Sequence, residues 1–271
     1  MSRCIGLFCT ALLLSSPFLG ISAEGWYWEA GLRTGVGQRV PGRFDSNLNS
    51  FSSSFNPIVF SEVRQTGGRE TATYEGFVRF MISPHSKVGM VLGRQDLAKL
   101  NLTEATSDLY QTRLTSEIYS YHFLGTYHYV IDLSRRWEWE NGVGMGFTSA
   151  DWDISGWSVG GEPNVSVFQQ KGKLRGSGLA FRAETAINRR LGDSNFLQLG
   201  IAYHHIAIAR FNGSYNGEES SFYIRQDGKV GIFDDTRVID ANISTSQYMR
   251  RLDLNSGSWS LYFSVIHRFL D

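Results

Sequence analysis

The feature that most constrains this chain is a period of two. In IYSYHFLGTYHYVI, residues 118–131, Tyr119, Tyr121, Phe123, Gly125, Tyr127, Tyr129 and Ile131 share one side of an extended strand. Ser120, His122, Leu124, Thr126, His128 and Val130 share the other, so one face is aromatic and the opposite one mostly polar. The same alternation recurs in runs near 26–36, 71–82, 87–95, 113–131, 137–149, 176–188, 195–210 and 258–269. These eight runs predict eight strands, and no stretch after the N-terminus is long and apolar enough for a spanning helix.

The connections between the runs alternate in length. Segments 83–86, 132–136 and 189–194 are short turns, whereas 37–70, 96–112, 150–175 and 211–257 are long and rich in Ser, Asn, Gly and Asp. Short turns at one end and long loops at the other predict an up-and-down antiparallel barrel that crosses a membrane. Within 211–257, SFYIRQDGKVGIF carries a hairpin turn at Asp227-Gly228, which predicts an extension of the strands above the membrane. The alternative is two further spanning strands, making ten.

The N-terminus differs from the rest. Arg3 precedes the apolar run IGLFCTALLLSSPFLGI, and Ile21-Ser22-Ala23 offers a small residue for cleavage, so residues 1–23 read as a secretory signal and 24–271 as the barrel. Cys4 and Cys9 both fall in that signal, which predicts an exported chain without a disulfide. The 26 basic and 26 acidic side chains balance, giving no reason to expect nucleic acid.

A soluble barrel also alternates, with its apolar face inward, so the second face must decide. It carries glycine at 31, 35, 89, 93, 142, 144, 146, 178 and 200, which suits strands closed around a crowded lumen better than a face bathed in water. It also carries Glu29, Arg33, Glu75, Arg79, Glu138, Glu140, Arg182, Glu184 and Arg268. Pairing the first two strands with Arg33 opposite Glu75 sets Glu29 opposite Arg79, and the same register sets Trp28 beside Phe80 and Ala30 beside Val78. One register therefore serves both faces.

Aromatic rings at the ends of the greasy face predict the two headgroup belts of a membrane barrel. Trp26, Trp28, Tyr129, Trp137, Trp139 and Phe269 form the periplasmic belt, and Tyr74, Tyr119, Tyr121, Phe147, Tyr203 and Trp259 the outer one. The ten residues from Tyr119 to Tyr129 span about 33 Å of strand, or about 25 Å when tilted by about 40°, the height of the apolar band in such barrels.

With its export signal, eight amphipathic strands, alternating connections and closing strand WSLYFSVIHRF, the chain resembles the small outer-membrane barrels of Gram-negative bacteria, the OmpX, OmpA-barrel and OmpW kind. Leu270 and Asp271 follow the terminal aromatic Phe269, where such barrels usually end on the ring. The resemblance implies a monomer in the bacterial outer membrane, with outer-membrane lipid and lipopolysaccharide around it and an extracellular protein or host ligand at its loops.

The lumen charges are expected to pair with each other, because a buried charge without a partner is costly. Their functional alternative is a narrow channel for small hydrophilic solutes. His122, His128 and His204 also point inward by parity, with His128 expected opposite Glu140 as an ordinary pair; no metal or cofactor is expected. An outer-membrane protease or lipid A-modifying enzyme is the remaining reading. Asp151 and Asp153 would be the acids and His204-His205 the nearest histidines, but no local motif joins them, and no catalytic residue is assigned. The expected role is structural or surface-interacting, through long external loops.

Overall fold

The computed structural model describes residues 27–42, 64–66, 69–107, 110–160, 166–225, 230–233, 248–251 and 253–270. The signal expected over 1–23, Trp26 and the Asp227-Gly228 turn lie outside them. In chain order the strands are β1 (Tyr27–Arg39), β2 (Arg64–Thr66), β3 (Glu70–Ser83), β4 (Ser86–Ser107), β5 (Tyr110–Ser134), β6 (Trp137–Gly160) and β7 (Ser166–Arg190). They continue as β8 (Asn195–Ile208), β9 (Asn212–Tyr215), β10 (Glu218–Arg225), β11 (Val230–Phe233), β12 (Tyr248–Arg251) and β13 (Leu254–Leu270).

Eight of them close a ring. β1, β3, β4, β5, β6, β7, β8 and β13 each pair antiparallel with the next, and β13 returns to β1 from Tyr27↔Leu270 to Arg39↔Ser258. β8 is bonded on one edge to β7 and on the other to β13, so two further spanning strands have no place, and the ten-strand alternative is excluded. The first hairpin holds the expected register, with Arg33↔Glu75, Glu29↔Arg79, Trp28↔Phe80 and Ala30↔Val78. The β5–β6 register departs from expectation. His128 faces Gly142 and Glu140 faces Val130, because an irregularity between Asp132 and Ser134 shifts the turn.

The ring is turned greasy side out. Leu32, Val143, Met145 and Phe147 are 73%, 58%, 63% and 71% exposed, while Arg79, Lys87, Gln198 and Ser264 are almost wholly buried inside. No protein in water leaves such a band bare, and a closed barrel is one of the two folds that satisfy every backbone group within lipid. The barrel spans a membrane.

The strands expected to stop at 96 and 150 do not stop there. β4, β5, β6 and β7 run for 22, 25, 24 and 25 residues, whereas β1, β3, β8 and β13 have 13, 14, 14 and 17. Segments 96–112 and 150–175 are thus mostly strand, and the expectation of long loops there is corrected. The physical reason is an inversion of phase. Beyond Tyr119 the outward residues of β5 become Glu117, Thr115 and Arg113, and the inward ones become Ile118, Ser116 and Leu114. On β6 Asp153 and Ser155 now face out and Trp152 and Ile154 face in; on β4 a bulge between Asp96 and Ala98 makes the same exchange. Apolar groups face lipid where lipid is present and turn inward where water replaces it.

The inward apolar groups above the bilayer pack as one cluster that includes Leu97, Leu114, Ile118, Trp152, Ile154, Leu174, Ile208, Phe211 and Leu254. Trp152 and Phe211 meet edge to face at 5.7 Å, and the Trp152 indole N–H donates to Ser116 Oγ. This cluster caps the barrel's outer mouth. The wall then continues through β9, which replaces β8 beside β7, into β10, with β11 and β12 paired to β10. β9 and β10 turn at Asn216-Gly217, where φ is 53° and 89°, the left-handed geometry that an Asn-Gly hairpin turn requires.

The inversion predicts two different responses to one charge. Val143→Arg, midway along the lipid face of β6, should lower stability by about 2–4 kcal/mol, whereas Ser155→Arg, outward but above the lipid, should stay within about 0.5 kcal/mol. Reversible denaturant unfolding in phospholipid vesicles measures both.

Candidate functional site

The lumen fills from the short-turn end with charge. Arg268 bonds Glu29 at 2.8 Å and Glu138 at 3.1 Å, joining the last strand to the first and to β6. Lys87 Nζ reaches Glu29 Oε2 at 3.0 Å and Glu140 Oε2 at 3.3 Å. Arg79 donates to Glu140 Oε1 at 2.5 Å and to Glu184 Oε1 at 3.4 Å. Higher up, Arg33 meets Glu184 at 2.8 Å and Glu75 at 3.4 Å, and Arg182 meets Glu75 at 2.6 Å. Arg33 lies over the Tyr262 ring at 4.1 Å, Arg79 over Phe77 at 4.3 Å and Arg268 over Phe196 at 4.0 Å, so rings fill the space between charges.

The strand registers bring these groups to the lumen, but the closest pairs form across it. Glu29 stands opposite Arg79, yet its carboxylate goes to Lys87 and Arg268 while Arg79 crosses to β6 and β7. Arg268 is the neighbour of Glu29 across the closing seam, but reasoning by neighbouring strands does not reach Lys87 with Glu29 or Arg79 with Glu140 and Glu184. It also passed over Lys87, which lies next to a turn and is 1% exposed. With Lys87 counted, five cations (Arg33, Arg79, Lys87, Arg182, Arg268) face five carboxylates (Glu29, Glu75, Glu138, Glu140, Glu184). Gln198, Asn188 and Ser264 complete the bonding, with Gln198 linking Arg33 to Glu140. Their inward parity was legible; their lack of charge hid them.

Glycine makes the room. A Cβ at Gly93 would lie 2.6 Å from Glu75 Cγ and 2.7 Å from His122 Nε2, and one at Gly142 would lie 2.5 Å from His128 Nδ1. His122 binds Glu75 at 2.9 Å, and His204 binds Gln95 at 2.9 Å beneath the apolar cap. His128 Nδ1 sits 3.1 Å from Glu140 Oε1 although Gly142, not Glu140, is its strand partner. His128, Glu140 and Glu184 bring three ligand-type atoms within 4.8 Å. The cation among them is already a guanidinium, since Arg79 donates to the same two carboxylate oxygens, Glu140 Oε1 and Glu184 Oε1.

On the outside, Trp28 stacks on Phe269 at 3.7 Å across the β1–β13 seam, and Tyr129, Trp137 and Trp139 are exposed at the same end. Tyr74, Tyr121, Phe147 and Trp259 are exposed toward the other end, with Tyr203 against Trp259 at 4.8 Å and Tyr119 against Tyr121 at 5.8 Å. Just above them, Asp151 takes two bonds from Arg175, at 2.6 and 3.0 Å, and Asp153 accepts the Tyr119 hydroxyl at 2.9 Å. Both acids face outward, Asp151 covered by Arg175, while His204 is buried in the lumen; His205 faces outward on β8 opposite Phe181 and Gly257, so the wall separates the acids from His204 and the strand register separates them from His205.

No protein-family model matches the chain, and no curated protein matches it. Among solved structures it is similar to Neisserial surface protein A, with 10% identity over 91% of this chain and 100% of that one, at a TM-score of 0.43. It is similar to a major outer membrane protein from Thermus thermophilus (11% identity, 89% and 99% covered, TM-score 0.44). It is also similar to Ail, the attachment invasion locus protein of Yersinia pestis, in complex with the heparin analogue sucrose octasulfate (10% identity, 89% and 99% covered, TM-score 0.39). Likeness at this level transfers no ligand and no activity; the fold stands on the strand pairing above.

Two outcomes are expected. Glu140→Gln leaves Arg79 and Lys87 short of a carboxylate and should cost about 3–5 kcal/mol; adding Lys87→Met removes one stranded cation, and unfolding in detergent should recover part of the loss. The Arg175 guanidinium bonded to Asp151 holds that carboxyl below its usual range. A depressed carboxyl stabilises above its unfolded pKa and loses that stabilisation as pH falls, so the stability gap between wild type and Asp151→Asn should be present at neutral pH and close below about pH 4.

Proposed function

We propose that the chain is a surface-interaction protein of the bacterial outer membrane that displays a rigid sheet outside the cell on a sealed barrel. The observation that carries this reading is the pairing of a blocked lumen with walls that outrun the membrane. The charge network, whose guanidinium and ammonium groups are almost fully buried, and the apolar cap above it leave the barrel interior to side chains. An eight-stranded ring is only wide enough for that filling. Meanwhile β5 carries about 30 Å of strand beyond Tyr119.

Export by the N-terminal segment and the packed lumen both fit an anchor whose working part is outside. The tip of the β6–β7 hairpin bears exposed Val167 and Phe168, apolar groups far above the lipid band. Ligand recognition by that tip and by the β9–β12 sheet is the role favoured over solute passage, and the wall that separates Asp151 from His204 favours binding over hydrolysis.

Bacteria displaying the wild-type chain are expected to adhere to epithelial monolayers more than bacteria displaying a chain whose 155–169 tip is replaced by a short Gly-Ser turn. Both proteins should remain heat-modifiable on gels. The purified barrel in planar bilayers should show no conductance steps; stepwise conductance together with unchanged adherence would move the assignment to a channel.

A further inference from the structure

The wall that rises above the lipid ends in an open edge. β7 pairs with β6 from Arg189 to Ser166 without a shift of register. On its other edge β9 covers only Gly172 to Arg175, and Asn216 closes the ladder there. The Asn216 side-chain oxygen accepts the Lys171 N–H, and the Asn216 N–H donates to the Lys171 carbonyl. Backbone groups on one edge of a strand recur at every second residue, so the N–H and C=O of Gln169 and Val167 point the same way as those of Lys171. Among the described residues, no strand or side chain bonds them.

An uncovered edge is a template for another strand, and proteins usually blunt one with lysine, proline or a bulge. Ser166-Val167-Phe168-Gln169-Gln170 has none of these. Val167 is 67% exposed on the outer face and Phe168 57% on the inner face, so both faces of the edge offer an apolar group. At the other end of the same wall, β2 lies along β4 at Asn101 to Thr103. The β7 segment also matches itself. Laid antiparallel to a second copy with Phe168 at the centre, Val167 and Gln169 of one chain meet Gln169 and Val167 of the other as hydrogen-bonded pairs, so every open N–H and C=O is used. Phe168 then faces its own copy as a non-hydrogen-bonded pair, the closer kind, with Cα atoms about 4.5 Å apart. No charge is left to be matched.

We infer that the β7 edges of two copies of this chain pair antiparallel through Ser166 to Gln170 and so join barrels in facing membranes. Strand direction decides the arrangement. In one membrane every β7 runs from the outer tip toward the short-turn end, so neighbouring barrels do not set these edges antiparallel, whereas barrels that face each other across a gap do. The two-fold axis passes between the Phe168 rings and lies parallel to the membranes, and the two inner faces continue as one surface. A contact of five residues is small, so adhesion comes from many such contacts between two surfaces. The inference rests on the surface-interaction reading above and names a second copy of the chain as a partner of the tip.

Turbidity of phosphatidylcholine vesicles carrying the full-length refolded chain tests it. Wild-type vesicles should cluster, while vesicles carrying Phe168→Lys or Phe168→Glu should each stay dispersed, because like charges then stand directly opposite one another. Mixing the Lys and Glu vesicles should restore clustering, since the central pair becomes oppositely charged. No cysteine lies between residues 24 and 271, so Phe168→Cys gives a second readout. Oxidation of its vesicles should yield a disulfide-linked dimer that wild type and Ser155→Cys do not form. Heat-modifiable migration shows that each variant is folded. Dispersed wild-type vesicles, or a Lys–Glu mixture that behaves like either variant alone, overturn the inference. If wild-type vesicles stay dispersed while the tip still supports adherence to epithelial monolayers, self-pairing falls, the surface-interaction reading stands, and the edge is assigned to a foreign strand.

Discussion

Everything else in the barrel depends on neutralising charge inside a membrane. Arg79, Lys87 and Glu140 sit in the lumen with almost no solvent contact, and each touches at least two groups of the network. Breaking such a pair costs more than either charge contributes alone. This requirement explains three features at once. The strands must close, since Arg268 on β13 finds Glu29 only across the β1 seam. Glycine must face inward at 93 and 142, where any side chain would enter the space of Glu75, His122 or His128. The interior then has its volume filled by paired charges and the rings beneath them.

The bilayer supplies the second constraint, which gives the molecule its asymmetry. Below the outer aromatic belt the wall is apolar outside and polar inside; above it the polarity exchanges without a break in the strands. β4 to β7 pass through the exchange because they have apolar residues of the right parity to pack over the mouth, among them Ile118, Trp152, Ile154 and Leu174. The shorter β1, β3, β8 and β13 contribute less to that cap. The outer mouth is therefore walled more highly on one side, and the sheet carried there is joined to a sealed base.

Legibility followed the range of the interaction. The register of the first hairpin could be read because Arg33 with Glu75 and Trp28 with Phe80 are strand neighbours, and local pairing had only to satisfy both faces. The β5–β6 register was misplaced by one ladder step on each strand, because the irregularity near Leu133 has no marker as strong as the Asn216-Gly217 turn. That Asn-Gly pair is itself a legible turn signal within 211–257, the segment whose sequence predicts an extension of the strands. The strand ends at 96 and 150 were hidden by the reversal of phase, which looks like the end of a pattern when one face is followed. Following Ile118, Trp152 and Leu174 as the continuation of the opposite face would have found them.

Alternation, turn lengths and the charged glycine-rich face were enough by themselves to determine a barrel with lipid outside, since a period of two assigns every side chain to a face without knowledge of distant strands; the choice of eight strands over ten came from the pairing of β8 with β7 and β13. Beyond the neighbour pair Arg33–Glu75, tertiary structure decided which charge meets which. Glu140 lies 61 residues from Arg79 and Glu184 lies 151 from Arg33, and only closure of the ring brings them within hydrogen-bonding reach. The same closure placed Lys87 in the network and an apolar cap over it, because inward-pointing groups are given partners by the curvature of the barrel and not by the order of the chain.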